Sequence, residues 1–192
     1  MKDLIRGELL EAQSALADLL ANEEMLDRIE DAAVLLSQTF TAKGRVWSAG
    51  NGGSMCDAMH FAEELSGRYR EDREALAAMA FGDPGFLTCA GNDFGYERVF
   101  ERAVEAHCRK GDVLVLFSTS GTSANILAAA RKAKERQVTV IGLTGRSGTE
   151  FETLCEVCLV TPGGKYADRV QELHIKIVHI LIAGVERLLF QL

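Results

Sequence analysis

His60 and Glu64 stand four residues apart within Ser54–Leu65, a stretch with helical patterning, so a single turn stacks them on one face. An imidazole beside a carboxylate there can hold a divalent metal, act as an acid–base pair, or form a plain surface pair. The same stripe includes Cys56 and Arg68. Met55, Ala58, Met59, Ala62 and Leu65 give the helix its apolar face, and Glu63 points to solvent.

Ser118-Thr119-Ser120-Gly121-Thr122-Ser123 sets five hydroxyls around one glycine. Hydroxyls and amides at a helix N-terminus can wrap a phosphate dianion with no lysine present, whereas capping the helix needs only one hydroxyl. Asn51-Gly52-Gly53-Ser54 lets backbone approach a ligand and offers amides to an anion; it also suits a tight turn with a serine cap. It is neither a dinucleotide fingerprint nor a Walker loop. Gly91-Asn92-Asp93 reads as a third loop, whose amide and carboxylate suit sugar hydroxyls as well as ordinary turn chemistry.

Toward the C-terminus, a helix expected from about Asp168 to Leu189, with Asp168 as N-cap, carries Gln171, Glu172, His174 and His179. His179 lies among Ile175, Ile177, Val178, Ile180 and Leu181, where pattern alone makes it a hydrogen-bonded core residue. Gln171 and His179 are about 12 Å apart along such a helix, so to share one ion they must straddle it or come from two chains. Cys155 and Cys158, read as part of a strand over Leu154–Val160, would face opposite sides as core thiols.

These segments need a scaffold. Leu4 to Leu20 and Met25 to Phe40 repeat apolar residues at helical spacing, and such a leading pair often packs on another subunit. From Arg45 onward, strand and helix alternate. The strands are expected at 45–49, 77–81, 112–117, 138–143 and 154–160, and the helices at 54–65, 96–108, 124–136 and 168–189. Pro84 and Pro162 read as loop residues. The alternation argues a parallel sheet with helices on both faces, and ligands bind beyond the carboxyl ends of its strands.

A chain of 192 residues, 47% hydrophobic and 26% charged, buries one core and is not disordered. Lys plus Arg number 21 against 28 Asp plus Glu, a net charge of −7, which attracts neither nucleic acid nor anionic lipid. Any phosphate must then be held by local groups. The scattered Cys56, Cys89, Cys108, Cys155 and Cys158 do not form a disulfide framework, and Met1-Lys-Asp-Leu-Ile-Arg is no secretory signal. The longest apolar run, near Ile177–Val185, is too short to span a bilayer. A soluble protein of the reducing cytoplasm is the expectation.

Four segments together resemble the sugar isomerase (SIS) domain family, and within it the phosphoheptose isomerases: residues 50–70 (GNGGSMCDAMHFAEELSGRYR), 90–96 (AGNDFGY), 116–125 (LFSTSGTSAN) and 166–182 (YADRVQELHIKIVHILI). The likeness runs over essentially the whole chain. It implies a single SIS domain over 1–192: a flavodoxin-like αβα sandwich on a five-stranded parallel sheet, with residues 1–42 as helices for oligomer packing. It implies a homotetramer that converts D-sedoheptulose 7-phosphate to D-glycero-D-manno-heptose 7-phosphate, the first step toward ADP-heptose and the lipopolysaccharide core. It further implies one zinc per subunit on His60, Glu64, Gln171 and His179, with Glu64 and His179 catalytic. Asn51, Gly52, Gly53, Glu64, Asn92, Asp93 and Gln171 would contact the sugar, and Ser118, Thr119, Ser120 and Ser123 the phosphate. Rival readings are a non-catalytic SIS binding protein of the replication-initiator-associating type, a sugar-phosphate-sensing domain, and an isomerase of another phosphorylated ketose.

Overall fold

In the computed structural model, which describes residues 1–192, five parallel strands form one sheet in the order β2-β1-β3-β4-β5. The strands are β1 Val46–Gly50, β2 Ala78–Ala80, β3 Val113–Ser118, β4 Thr139–Thr144 and β5 Val157–Val160. The helices are α1 Lys2–Leu20, α2 Glu23–Thr41, α3 Gly53–Ser66, α4 Pro84–Phe94, α5 Val99–His107, α6 Ala124–Glu135, α7 Glu150–Leu154 and α8 Ala167–Phe190.

Strand alternation feeds two cores. Val113, Val115 and Phe117 of β3 point to one face, where α2, α3 and α8 pack with Ala15 and Leu19 of α1. Leu114 and Leu116 point to the other, against α4 to α7. Both faces are covered, which is why β3 is apolar throughout. The expected three-layer αβα sandwich is therefore what forms.

The strand order reverses between β1 and β3. After β1 the chain enters α3 on one face, and after β3 it enters α6 on the other. In the register, Gly50 of β1 pairs with Phe117 of β3, so the two loops leave the sheet side by side. Such a switch point opens a crevice at the carboxyl ends of the strands.

Four details differ from the sequence reading. Gly91-Asn92-Asp93 is not a loop but lies inside α4. Asp83 caps that helix by accepting from the Phe86 amide at 2.7 Å, and Pro84 opens it rather than sitting in a loop. Burial of Ala90 against the second core overrides weak helix formers. The reading also misses α7, a short helix seated by fully buried Phe151. Because α7 ends at Leu154, Cys155 precedes the last strand. Its thiol donates to the Phe151 carbonyl at 3.1 Å, and the neighbouring Cys158 together with burial holds it far above the ordinary thiol range. Both thiols pack on the core that α4 to α7 cover, so the two do not face opposite ways. Finally, Tyr166 rather than Asp168 is the N-cap position of α8, with no side-chain capping bond.

The leading helices also divide in role. α2 buries Met25, Ile29, Ala32, Leu36 and Phe40 in its own chain's core. α1 buries only Ala15 and Leu19 and leaves Leu4, Ile5, Leu9, Leu10 and Leu20 exposed.

Candidate active site

Two of the three sequence-flagged loops meet at the switch point. The Asn51 amide donates to Asn125 Oδ1 at 2.9 Å, and the Asn125 amide donates back to Asn51 Oδ1 at 2.8 Å. Tyr96 Oη donates to the same Asn51 oxygen at 2.9 Å. The loop after β1 is thus stapled to the first turn of α6. Gly53 lies under Gln171 of α8: a Cβ at Gly53 would stand 2.7 Å from Gln171 Nε2 and push the end of that side chain aside.

The hydroxyl loop is built as an open cradle. Gly121 has φ +64°, which turns the chain back over itself. Ser123 occupies the N-cap of α6, yet its hydroxyl makes no capping bond, and the amides of residues 123–125 find no acceptor in the chain. Ser118 is 4% exposed and its hydroxyl has no partner. Thr122 folds onto Ser120 through its amide at 3.2 Å and its hydroxyl at 3.1 Å. A loop serving only to cap its helix would spend a hydroxyl on it; this one keeps hydroxyls and amides unspent, as an anion site requires.

The second centre lies in the groove between α3 and α8. Gln171 meets Gly53, and His179 meets His60, so the two helices run in the same direction. His60 Nε2 stands 3.2 Å from Glu64 Oε1 and 3.4 Å from His179 Nε2. No hydrogen bond engages Glu64 Oε2. The Tyr69 ring stacks on His179 with centroids 5.8 Å apart. His179 is therefore half-buried and faces the cluster rather than the core. The core histidine of α8 is His174, fully buried.

His60, Glu64 and His179 each offer a ligand atom, all within 4.8 Å of one another. Nitrogens on a tetrahedral zinc, with bonds of about 2.0–2.1 Å, stand about 3.3 Å apart, so the two imidazoles have the spacing such an ion needs. Gln171 stands apart at Gly53, about 10 Å before His60 along the helix rise. Asn92 and Asp93 lie on an exposed face of α4, where Asn92 Nδ2 donates to Asp93 Oδ1 at 2.7 Å. They touch neither loop; it is Tyr96, just beyond them, that reaches Asn51.

Asp57, one turn before His60, was absent from the sequence reading. One of its carboxylate oxygens is buried without a partner, and burial pushes the group up to about 6 while His60 pulls the other way. The spacing 57-60-64 was legible, but the stripe drawn through Cys56, His60 and Glu64 passed it by. Met59, expected on the apolar face, is instead half exposed. Asn125 and Tyr96 carried no separate signal, since each acts only by contact with another loop.

A family model for the SIS domain matches residues 11–145. The chain is similar to the phosphoheptose isomerase of Aeromonas hydrophila, 54% identical over 186 residues that cover 97% of each chain. Among solved structures it is similar to the phosphoheptose isomerase from Neisseria gonorrhoeae, with TM-score 0.88, 36% identity and coverage of 96% of this chain and 98% of that one. The phosphoheptose isomerase from Francisella tularensis aligns with TM-score 0.90 and 30% identity, over 96% of this chain and 97% of its own.

Proposed function

This chain belongs to the SIS domain family and, within it, to the phosphoheptose isomerases, and from that membership we propose that it interconverts D-sedoheptulose 7-phosphate and D-glycero-D-manno-heptose 7-phosphate. It is a sugar-phosphate isomerase, and the binding-protein reading is not favoured. The observation that carries the chemistry is the convergence of His60, Glu64 and His179 from two helices, with contacts of 3.2 and 3.4 Å.

The cradle of Ser118, Thr119, Ser120 and Ser123 holds the phosphate, and Asn51, Gly52, Gly53, Asn92, Asp93 and Gln171 serve the sugar chain. At the other end Glu64 takes the proton from C1 while His179 protonates the C2 carbonyl oxygen, giving the enediol. Glu64 then returns its proton to C2, and His179 accepts the proton from the C1 hydroxyl, leaving the aldehyde. Each group ends as it began. Glu64 can serve because its Oε2 stays free while Oε1 faces His60.

His60, Glu64 and His179 are the proposed set for one zinc per subunit; because Gln171 of the same chain sits at Gly53, Gln171 as fourth donor would come from a neighbouring subunit. A zinc bound there would polarise the carbonyl and steady charge on the enediolate oxygens. Metal analysis of protein prepared without chelator tests this, and a metal-free, fully active preparation overturns it.

The exposed stripe of α1 and a groove of about 400 Å³ lined by Leu26, Val34, Ile180 and Leu188 are apolar surface that subunits would cover in a homotetramer. Light scattering should return four chain masses; a monomer overturns the assembly. No helix is long and apolar enough to cross a membrane, and residues 1–192 are read as one SIS domain working in the cytoplasm, on the route to heptose-containing glycans.

NMR of purified protein with sedoheptulose 7-phosphate should show the aldose C1 signal growing; no signal, with turnover of a shorter ketose phosphate instead, would replace the substrate assignment. Ser123→Ala separates cradle from cap. Losing a true cap costs about 1 kcal/mol, but Ser123 makes no capping bond. The melting temperature should therefore hold, while KM rises about tenfold with kcat nearly unchanged, as expected for one lost hydrogen bond to a charged group. A lower melting point with unchanged KM would make Ser123 a cap after all.

A further inference from the structure

We propose that Arg73 is a positioning residue, which sets the catalytic carboxylate of α3 against the histidine of α8; this rests on the roles assigned above to Glu64 and His179. Arg73 comes from the segment between α3 and β2, yet its side chain is only 2% exposed. Its Nε donates to Glu186 Oε1 at 2.8 Å, and Glu186, itself 5% exposed, belongs to α8. One terminal nitrogen donates to the Glu64 carbonyl at 2.7 Å. The other donates to Leu65 O at 2.8 Å and Gly67 O at 3.1 Å.

One guanidinium thus gathers the last carbonyls of α3 and ties them to α8. The last turn of α3 has no basic residue of its own, and the negative end of its helix dipole falls at Glu64. Arg73 supplies that charge from outside. It bonds the backbone of the very residue that carries the base, and Glu186 lies two turns beyond His179 on the same helix. The segment bearing Arg73 also holds Tyr69, stacked on the His179 ring. Arg73 therefore fixes where one catalytic side chain starts, through a link to the helix that carries the other. Lysine cannot replace it, because an ammonium lacks the planar fork that reaches three directions at once.

The test is Arg73→Lys, assayed well below its melting temperature with sedoheptulose 7-phosphate. Misplacing a reacting group by about 1 Å costs up to about 10²-fold, so kcat should fall at least about tenfold. KM should stay within about threefold, because the phosphate cradle on β3 and α6 is untouched. A folded variant with parental kcat overturns the proposal, as does a KM rise that matches the kcat loss, since that marks general loosening. If Arg73→Lys does not fold, Glu186→Gln carries the test: it keeps an acceptor for Nε but loses the charge, and kcat should fall about threefold at constant KM, with parental kcat as the overturning result. Glu64→Gln runs alongside. An inactive Glu64→Gln beside a fully active Arg73→Lys sinks the positioning role alone; an active Glu64→Gln sinks the assignment on which it rests.

Discussion

Glu64→Gln is expected to lower kcat about 10³-fold and leave KM for the sugar phosphate within about threefold, the range for a lost general base. The substitution keeps shape and volume, so α3 and its contacts persist. What disappears is a group able to take a proton from carbon. The proposed phosphate contacts lie in the hydroxyl cradle on the other side of the crevice, so on that assignment KM has little reason to move. His179→Ala should cost about 10²-fold, because water can carry protons between oxygens but cannot replace a base held against carbon. Glu64 has two proposed roles, and excess zinc separates them. If Glu64 acted only as a ligand, saturating metal would restore turnover to Glu64→Gln. If it is the base, the variant stays slow however much zinc is bound. Near-parental rates from both variants would end the acid–base assignment.

The parts of this site that came from the sequence are those fixed by local spacing. The i, i+4 relation of His60 and Glu64 needs only a helix. The hydroxyl loop needs only a strand before it and a helix after it, and the apolar run 112–117 and the alanine-rich run 124–136 supply both. The fold class followed from the same alternation. Other parts needed tertiary contact. His179 in an apolar run looked like core, and His174 carried no mark as the truly buried one. Only the rotation of α8 against the sheet decides which faces α3. The helix over Gly91–Asp93 went unread because its residues favour turns, and what holds it helical is a cap at Asp83 and burial of Ala90. Asn125 and Arg73 act at 74 and 113 residues' separation from partners, on Asn51 and Glu186 respectively. No periodicity reports a pairing at that range.

His174→Leu should remove an acid sensitivity that the parent carries. His174 is fully buried in α8 with its ring edge-on to Phe117 of β3. Neither ring nitrogen has a hydrogen-bond partner, and burial pulls the group down to about 4, an effect the nearby Thr144 backbone offsets only in part. Unfolded, the same imidazole titrates near 6.5. Between those values the unfolded chain holds a proton that the native chain refuses, so stability must fall as pH falls. The penalty is absent above about pH 7, about 2 kcal/mol by pH 5 and about 3 kcal/mol by pH 4, the work of moving one proton equilibrium over that interval. Asp57 titrates in an overlapping window with the opposite sense, since its carboxyl is raised and its ionised form weakens the fold as pH rises. Comparing parent with variant cancels Asp57, which both retain. Urea unfolding at pH 7 and pH 4.5 should therefore show the parent losing about 2–3 kcal/mol more than His174→Leu on acidification. Equal losses would mean that water or a local opening reaches His174 and that the seam between α8 and β3 is not dry. An intact seam would give acid a direct route to the site, because the helix that must admit a charge at His174 is the one that holds His179 five residues further on.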